Sequence, residues 1–532
     1  MTSLTRPALS GPALRFGLAA LCLTIGTSAA QAQEASNVTP TNAERLWSGA
    51  ARAGAVASAG DAGGVAAVSG DTLDPIAPQD EEWVGPWGER RSLGAAVGEI
   101  VGINILVWSF NEYIRGADFT QVNPRTWWHN IDGGFTYDDN NFNTNMFAHP
   151  FHGSLYYNAG RSNGFNYWQS LGFSLFGSLM WECCGETHPP AWNDWIATGV
   201  GGAAIGEMTY RVAGTVLDNT ATGAERTWRE IGAFAINPVR GFNRLVTGRS
   251  GRVTENPEQP EDRIPSVLSN RLSAGIRIIG EGESLSDSSE THGLFQVDFK
   301  FGDEFEQQRR KPFDVFDMSL QLNLGDKSTL GRVSVRGNLF TTDLKRGGNT
   351  QHVFAVEQEF QYMNNNAFEF GGQSLSFMYL KRTERSARTS VTWTASGTWM
   401  IMGGVNSEFA SLADIAGIRE RLREYDFGTG LGAGAGFNLL RDGYRWIEAS
   451  YRIQHLTTLN GSNLNGQDAN HVIQFFKLRA VFPLGYKRFG AGAEYELFLR
   501  DSYFSFEGFE KIEQRVPRWQ IFFTWNPTRV LN

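Results

Sequence analysis

The sequence predicts an α+β protein, an N-terminal Gly-rich helical bundle followed by a C-terminal antiparallel transmembrane β-barrel of about 12 strands. Three observations predict it. From about Ser266 to Asn532, apolar and polar residues alternate in segments separated by Gly, Asn and Asp. Val333, Val335 and Leu339, for example, alternate with Arg332, Ser334, Arg336 and Asn338, so a strand here has hydrocarbon on one face and guanidinium groups on the other. The chain carries 16 Trp and 37 Phe, which suits the aromatic girdles at the two interfaces of a membrane barrel. An export signal precedes both parts.

That signal is read over residues 1–32: Arg6 and Arg15, an apolar stretch from Phe16 to about Ile25, then Ala30-Gln31-Ala32 as a small-x-small cleavage site before Gln33. Leu21 stands before Cys22 where a lipoprotein signal needs a small residue, so Cys22 is expected to leave with the signal. Residues 33–90, rich in Ala, Gly, Ser and Asp without a period, read as a flexible leader.

The helical domain is expected over 91–248. Leu93, Val97, Ile100, Val101, Ile105 and Trp108 recur at helical spacing behind Ser92, a capping residue, and predict a helix to about Arg115. Residues 117–153, dense in Asn, Asp, Gly and aromatics, predict an ordered irregular loop. Further helices are expected over 154–182, 192–217 and 224–244, the last interrupted at Asn237-Pro238. Past the signal, no stretch reads as the roughly 20 uninterrupted apolar residues of a membrane helix. Pro257, Pro260 and Pro265 mark a linker over 249–265, and the barrel follows over 266–532.

Within the barrel, Phe476, Leu478, Ala480 and Phe482 are expected to face lipid, with Lys477 and Arg479 inward. Ala493, Tyr495 and Leu497 likewise oppose Glu494 and Glu496, while Val356, Phe360 and Tyr362 oppose Glu357, Glu359 and Gln361. A lumen holding both charge signs reads either as neutralised ion pairs or as a polar path. A cylinder of this size is wider than side chains easily fill, so the helical domain is expected as a plug, inside the lumen or closing its periplasmic mouth. The last strand, Ile521-Phe522-Phe523-Thr524-Trp525, is followed by Asn526-Pro527, which displaces the terminal aromatic that barrel assembly machinery reads.

Several function classes are disfavoured. A net charge of -9 gives no basic surface for nucleic acid. Cys183 and Cys184, the cysteines left after the signal, are adjacent and exclude a disulfide framework; they read as buried small thiols, and His188 alone does not complete a metal site. No Gly-x-Ser-x-Gly elbow, P-loop, His-Glu-x-x-His helix or EF-hand loop is present. No metal and no other cofactor is expected.

The densest run of unusual residues lies at 126–164: Trp127-Trp128-His129-Asn130, then His149-Pro150-Phe151-His152-Gly153, then Tyr156-Tyr157 and Arg161-Ser162-Asn163-Gly164, with Asn193-Asp194 before a Gly-rich helix. On these motifs, residues 90–250 resemble the bacterial family built on domain of unknown function 3943. The resemblance brings no mechanism with it.

Read from the residues, His149 or His152 can serve as a general base paired with Glu182, Glu186, Asp194 or Glu207. A structural role is the simpler reading, because His149 precedes Pro150, which disfavours helical geometry there and suits a fixed loop. Glu207 and Arg211 are four apart on one helix face, where a buried ion pair is the default; with Arg161 and Asn163 they are also the candidate ligand-binding set. The expected function is a Gram-negative cell-envelope protein of the outer membrane that binds or passes a lipid or small amphiphile, with outer-membrane lipids and the assembly machinery as partners. The alternative is a lipid-modifying hydrolase or acyl transferase using His149, His152, Glu182 and Asp194; a passive porin is the third reading.

Overall fold

The structure, a computed structural model, describes residues 85–531 except 139, 258–262, 264, 266, 281–288, 307–310, 327, 366, 408–424, 443, 460–467, 486–487, 506–510 and 527–528. The expected signal peptide, with Cys22, and the leader as far as residue 84 lie outside the described residues, as does Pro260 of the linker.

The C-terminal part closes into a cylinder. Its strands are β1 (Val267–Gly280), β2 (Ser289–Phe301), β3 (Phe316–Leu324), β4 (Leu330–Gly347), β5 (Thr350–Asn364), β6 (Glu369–Ser386), β7 (Thr389–Asn406), β8 (Tyr425–Arg441), β9 (Tyr444–Thr458), β10 (Ala469–Leu484), β11 (Phe489–Phe504) and β12 (Ile512–Trp525). Each pairs antiparallel with its sequence neighbour, and β12 returns to β1 with Ile276 opposite Ile521. A short β13 (Arg529–Leu531) extends the pairing on β1. Closure satisfies the ladder groups that an open edge would leave bare, which is the condition for strands in hydrocarbon.

The alternation sorts side chains as expected around most of the ring. Phe476, Leu478, Phe482, Ile521 and Phe523 are exposed on the outside, while Arg479, Glu494 and Glu496 are buried within. Inside, ion pairs join strands that are not neighbours: Arg332 of β4 to Glu496 of β11 at 2.8 Å, Arg452 of β9 to Glu359 of β5 at 2.8 Å, Arg479 of β10 to Asp298 of β2 at 3.1 Å, and Arg445 of β9 to Asp317 of β3 at 3.2 Å. Long charged side chains therefore cross the cylinder and neutralise one another, leaving a cavity of about 630 Å³.

The helical domain comprises α1 (Leu93–Phe110), continued by a π turn (Asn111–Arg115); α2 (Pro124–Gly133); a π turn (Thr144–Ala148) running into α3 (His149–Ser162); α4 (Tyr167–Cys184); α5 (Trp192–Ile196), a π turn (Ala197–Gly201) and α6 (Gly202–Val216); α7 (Gly223–Ile236) and α8 (Pro238–Val246). Asn123 and Asn166 make capping boxes at the starts of α2 and α4. Four expectations are corrected here. Residues 117–153 are largely helical. His149 is helical, with φ -62° and ψ -51°, because the π turn over Thr144–Ala148 runs straight into α3 and supplies the helical geometry that Pro150 disfavours. Leu93–Arg115, 23 residues, is long and apolar enough by length and composition to cross a membrane. Residues 85–90, expected as the end of the leader, pack on the bundle: Glu89 accepts from Tyr210 Oη at 2.8 Å.

The expected plug is also corrected, because the bundle docks on the outer wall of the barrel. Tyr157, Tyr167, Ala203, Ala204 and Met208 share a core with Val333, Val335, Phe360, Tyr362, Met402, Tyr425 and Phe427. Those barrel residues stand on the opposite face from Arg332, Arg336, Glu357 and Glu359, which line the cavity. Gln358, on that same outer face, donates to Val200 O at 2.7 Å and accepts from Tyr167 Oη. Val333, Val335, Phe360 and Tyr362 thus meet helices where lipid was expected. An apolar outer face reads the same to either partner.

The bundle buries polar side chains beside its apolar clusters and leaves many apolar ones exposed. On α4 the buried positions are Tyr167, Ser170, Ser174, Gly177, Ser178, Trp181 and Glu182, while Trp168, Phe176 and Leu179 are exposed. On α1, Asn104 is buried while Val101 and Ile105 are exposed, and only 17% of its apolar window is covered. Small residues let backbones touch: a Cβ on Gly153 of α3 would stand 1.8 Å from Thr198 O, and one on Gly202 would stand 2.5 Å from Gly153 C.

Candidate functional site

Four of the eight candidate residues converge. The first turn of α3 carries His149 and His152, the last turn of α4 carries Glu182, and α5 carries Asp194. A bridge between Thr136 and Ala191 draws the segment holding Asp138 alongside α5. His149 Nε2 lies 3.5 Å from Asp194 Oδ1, and its Nδ1 is 3.4 Å from Thr198 Oγ1. One donor atom each from His149, Glu182 and Asp194 falls within 4.8 Å of the others. His152 packs beside them between the rings of Tyr156 and Trp181, with centroids at 4.6 and 5.6 Å.

Hydrogen bonds fix the carboxylates. Glu182 Oε2 accepts from Ala191 N at 2.9 Å, Asp194 Oδ1 accepts from Asn193 Nδ2 at 2.7 Å, and Asp138 Oδ1 accepts from Asn193 Nδ2 at 3.0 Å and Asn145 Nδ2 at 2.5 Å. Burial dominates the electrostatics. It pushes the Glu182 carboxyl up to about 8, against the Ala191 N–H bond and with help from Asp138. Burial, then Asp138, Glu182 and Glu186, raises Asp194 well above the ordinary carboxylate range. Burial lowers His149, opposed by Asp138, and lowers His152 to about 3 with help from His149. Burial thus favours the neutral forms of the imidazole and of both carboxyls, which sets a candidate base beside candidate acids.

The other candidates do different work. Glu207 takes Arg161 Nε at 2.7 Å, Arg211 Nε at 2.9 Å and Tyr157 Oη at 2.7 Å. Burial alone would raise its carboxyl, but the two guanidiniums and the tyrosine hold it at about 2. Arg211 also reaches Asp314 at 2.8 Å and Pro312 O at 3.0 Å, so this network ties α3 and α6 to the connection between β2 and β3. Asn163 stands apart at the end of α3, where Nδ2 donates to Ala159 O at 2.9 Å. Cys183 and Cys184 are free, with sulfurs 2.7 Å apart.

Asp138, Asn145 and Asn193 belong to the site and were missed as candidates. The signal for Asp138 and Asn145 was the unusual density of Asn and Asp around residue 140, and for Asn193 the Asn193-Asp194 pair. What could not be read was which of them fold inward.

Residues 134–239 match the model of a family described as Domain of unknown function (DUF3943). The span holds every candidate residue above but none of the barrel. No curated protein matches the chain. Among solved structures, a NanC porin is 9% identical with a TM-score of 0.22, covering 47% of this chain and 98% of its own. The outer membrane channel DcaP of Acinetobacter baumannii is 8% identical with a TM-score of 0.18, covering 49% and 96%. The translocator domain of the autotransporter NalP from Neisseria meningitidis is 12% identical with a TM-score of 0.19, covering 48% and 88%. The barrel assignment rests on its own strand pairing.

Proposed function

We propose that this chain, which matches the DUF3943 model over residues 134–239, is an outer-membrane protein that works at the lipid-facing wall of its barrel. There the helical domain binds a lipid or small amphiphile at the cluster of His149, His152, Glu182 and Asp194. The observation that carries this reading is the seat of the bundle on the outer face of the strands, where a molecule diffusing in the membrane plane meets it directly. Three features support it. The cylinder is closed with an apolar exterior, which favours an outer membrane and delivery by the barrel assembly machinery. The bundle hides polar groups and shows apolar ones, the distribution that suits a hydrocarbon surround. Ion pairs cross the lumen, which argues against a permeation role.

The test is lipid retention. Full-length protein purified in mild detergent is extracted, and bound lipid is measured by mass spectrometry for the wild type and for His149→Ala. Heat-modifiable gel migration confirms that both barrels are folded. Retention of a defined lipid by the wild type and its loss in the variant is the expected result; identical lipid content in both rejects the binding site.

A second reading has its own observation, the neutral His149 imidazole 3.5 Å from the Asp194 carboxyl. That pairing favours a lipid-modifying hydrolase or acyl transferase. Lipid A and phospholipid profiles of cells carrying the wild type or His149→Ala separate the two: altered lipids favour the enzyme, unchanged lipids the binding protein.

A further inference from the structure

We propose that His149, Glu182 and Asp194 form a binding site for one divalent cation of the zinc class. The inference goes beyond the lipid reading and does not depend on a lipid reaching the cluster. One imidazole nitrogen and two carboxylate oxygens are the donor set that such ions take, and three protein ligands leave a fourth position open. The donor atoms lie within 4.8 Å of one another. Tetrahedral bonds of about 2.1 Å place ligands about 3.4 Å apart, so loading asks the set to close by at most about 1.4 Å.

An unsatisfied atom points the same way. His149 Nε2 is buried without a hydrogen-bond partner and lies 3.5 Å from Asp194 Oδ1. Buried polar atoms in a folded protein are ordinarily paired, so the unpaired His149 Nε2 within the donor set calls for an acceptor or an ion.

Charge gives a third argument. Among the described residues, no lysine or arginine pairs with Glu182 or Asp194, whereas the same bundle supplies Glu207 with two guanidiniums. A divalent ion would displace the carboxyl protons and itself supply the counter-charge that no side chain provides. The outer shell is already in place: Thr198 Oγ1 on His149 Nδ1, Ala191 N on Glu182, and Asn193 Nδ2 on Asp194. Partners of this kind orient metal ligands and raise affinity.

The experiment uses full-length protein in detergent, stripped with EDTA, loaded with Zn²⁺ and desalted, with bound metal measured by inductively coupled plasma mass spectrometry. About one equivalent is expected for the wild type and for His129→Ala, an exposed histidine of the same bundle. Less than about a tenth of an equivalent is expected for Asp194→Asn combined with Glu182→Gln, which preserves shape. Asn193→Ala is expected to weaken Zn²⁺ affinity by about 10–100-fold. X-ray absorption of the loaded wild type provides a readout independent of any variant's folding, and a nitrogen and oxygen shell with imidazole scattering is expected. No retained zinc in the wild type, equal retention in the double variant, or a sulfur shell pointing to Cys183 and Cys184 overturns the proposal.

Discussion

Gln358 and Val200 meet across the boundary between barrel and helices: the amide of the strand residue donates to the carbonyl of the π turn at 2.7 Å. Gln358 is 3% exposed although it lies on the outer face of β5. A membrane-facing strand position does not hold a glutamine amide unless something other than lipid satisfies it. The helical domain is that partner, and the same amide accepts from Tyr167.

Replacing Gln358 by Ala leaves Val200 O and Tyr167 Oη buried with one partner fewer. The expected cost is about 1–3 kcal/mol, confined to the docking of the helical domain. Limited proteolysis will show faster cleavage of residues 85–257 while the barrel keeps its heat-modifiable migration; equal protection in both proteins rejects the docking role.

Gly153→Ala places a methyl group 1.8 Å from Thr198 O, against backbone that cannot yield. The crossing of α3 and α6 is expected to lose about 2–4 kcal/mol of stability, at the severe end for a single core change. Gly94→Ala, in the first turn of α1 with open space around it, is expected to be neutral or to stabilise by about 0.5–1 kcal/mol. Denaturant unfolding followed by tryptophan fluorescence ranks the two.

Glu207 has a folded pKa near 2, below its ordinary 4.5. Its contribution is therefore complete above pH 4.5 and fades as pH falls from about 4.5 toward 2. It is on the order of 3 kcal/mol. Unfolding measured between pH 6 and 2 will show this acid-side loss, and Glu207→Gln, less stable at neutral pH, will have a flatter profile.

Arg452 and Glu359 face each other across the lumen at 2.8 Å. Glu359→Ala or Arg452→Ala alone leaves a charge behind and is expected to destabilise by about 3–5 kcal/mol; the double variant is expected to be less damaged than the sum of the two. In planar bilayers the wild type is expected to be silent and the double variant to pass a small cation or anion current. Steady conductance by the wild type contradicts a lumen closed by ion pairs.

The barrel was legible because its signal is local: Lys477 and Arg479 alternate with Phe476 and Leu478, and a period of two states which face is which. The position of the helical domain was not. Phe360 and Tyr362 carry the same pattern as Phe476 and Leu478, and hydrophobicity does not say whether a phenyl ring will touch an acyl chain or Phe142. His149, His152, Glu182 and Asp194 were legible as reactive residue types, but their convergence depends on α3, α4 and the π turn before α6 meeting through Gly153, Gly177 and Gly199. Asp138 was missed because nothing local separates it from Asn140 and Asn141. The preference before proline misled at His149, where a preceding π turn supplies the helical geometry that Pro150 disfavours.

Ribosomes make this chain from its N-terminus, so residues 85–257 exist before β3 to β8, the wall on which they will sit. Until that wall forms, Tyr157, Tyr167 and Met208 have no seat, and the tryptophans and leucines of α1 and α4 have no solvent that welcomes them. A truncation ending near residue 257 should therefore accumulate as aggregate even though every one of its helices is intact.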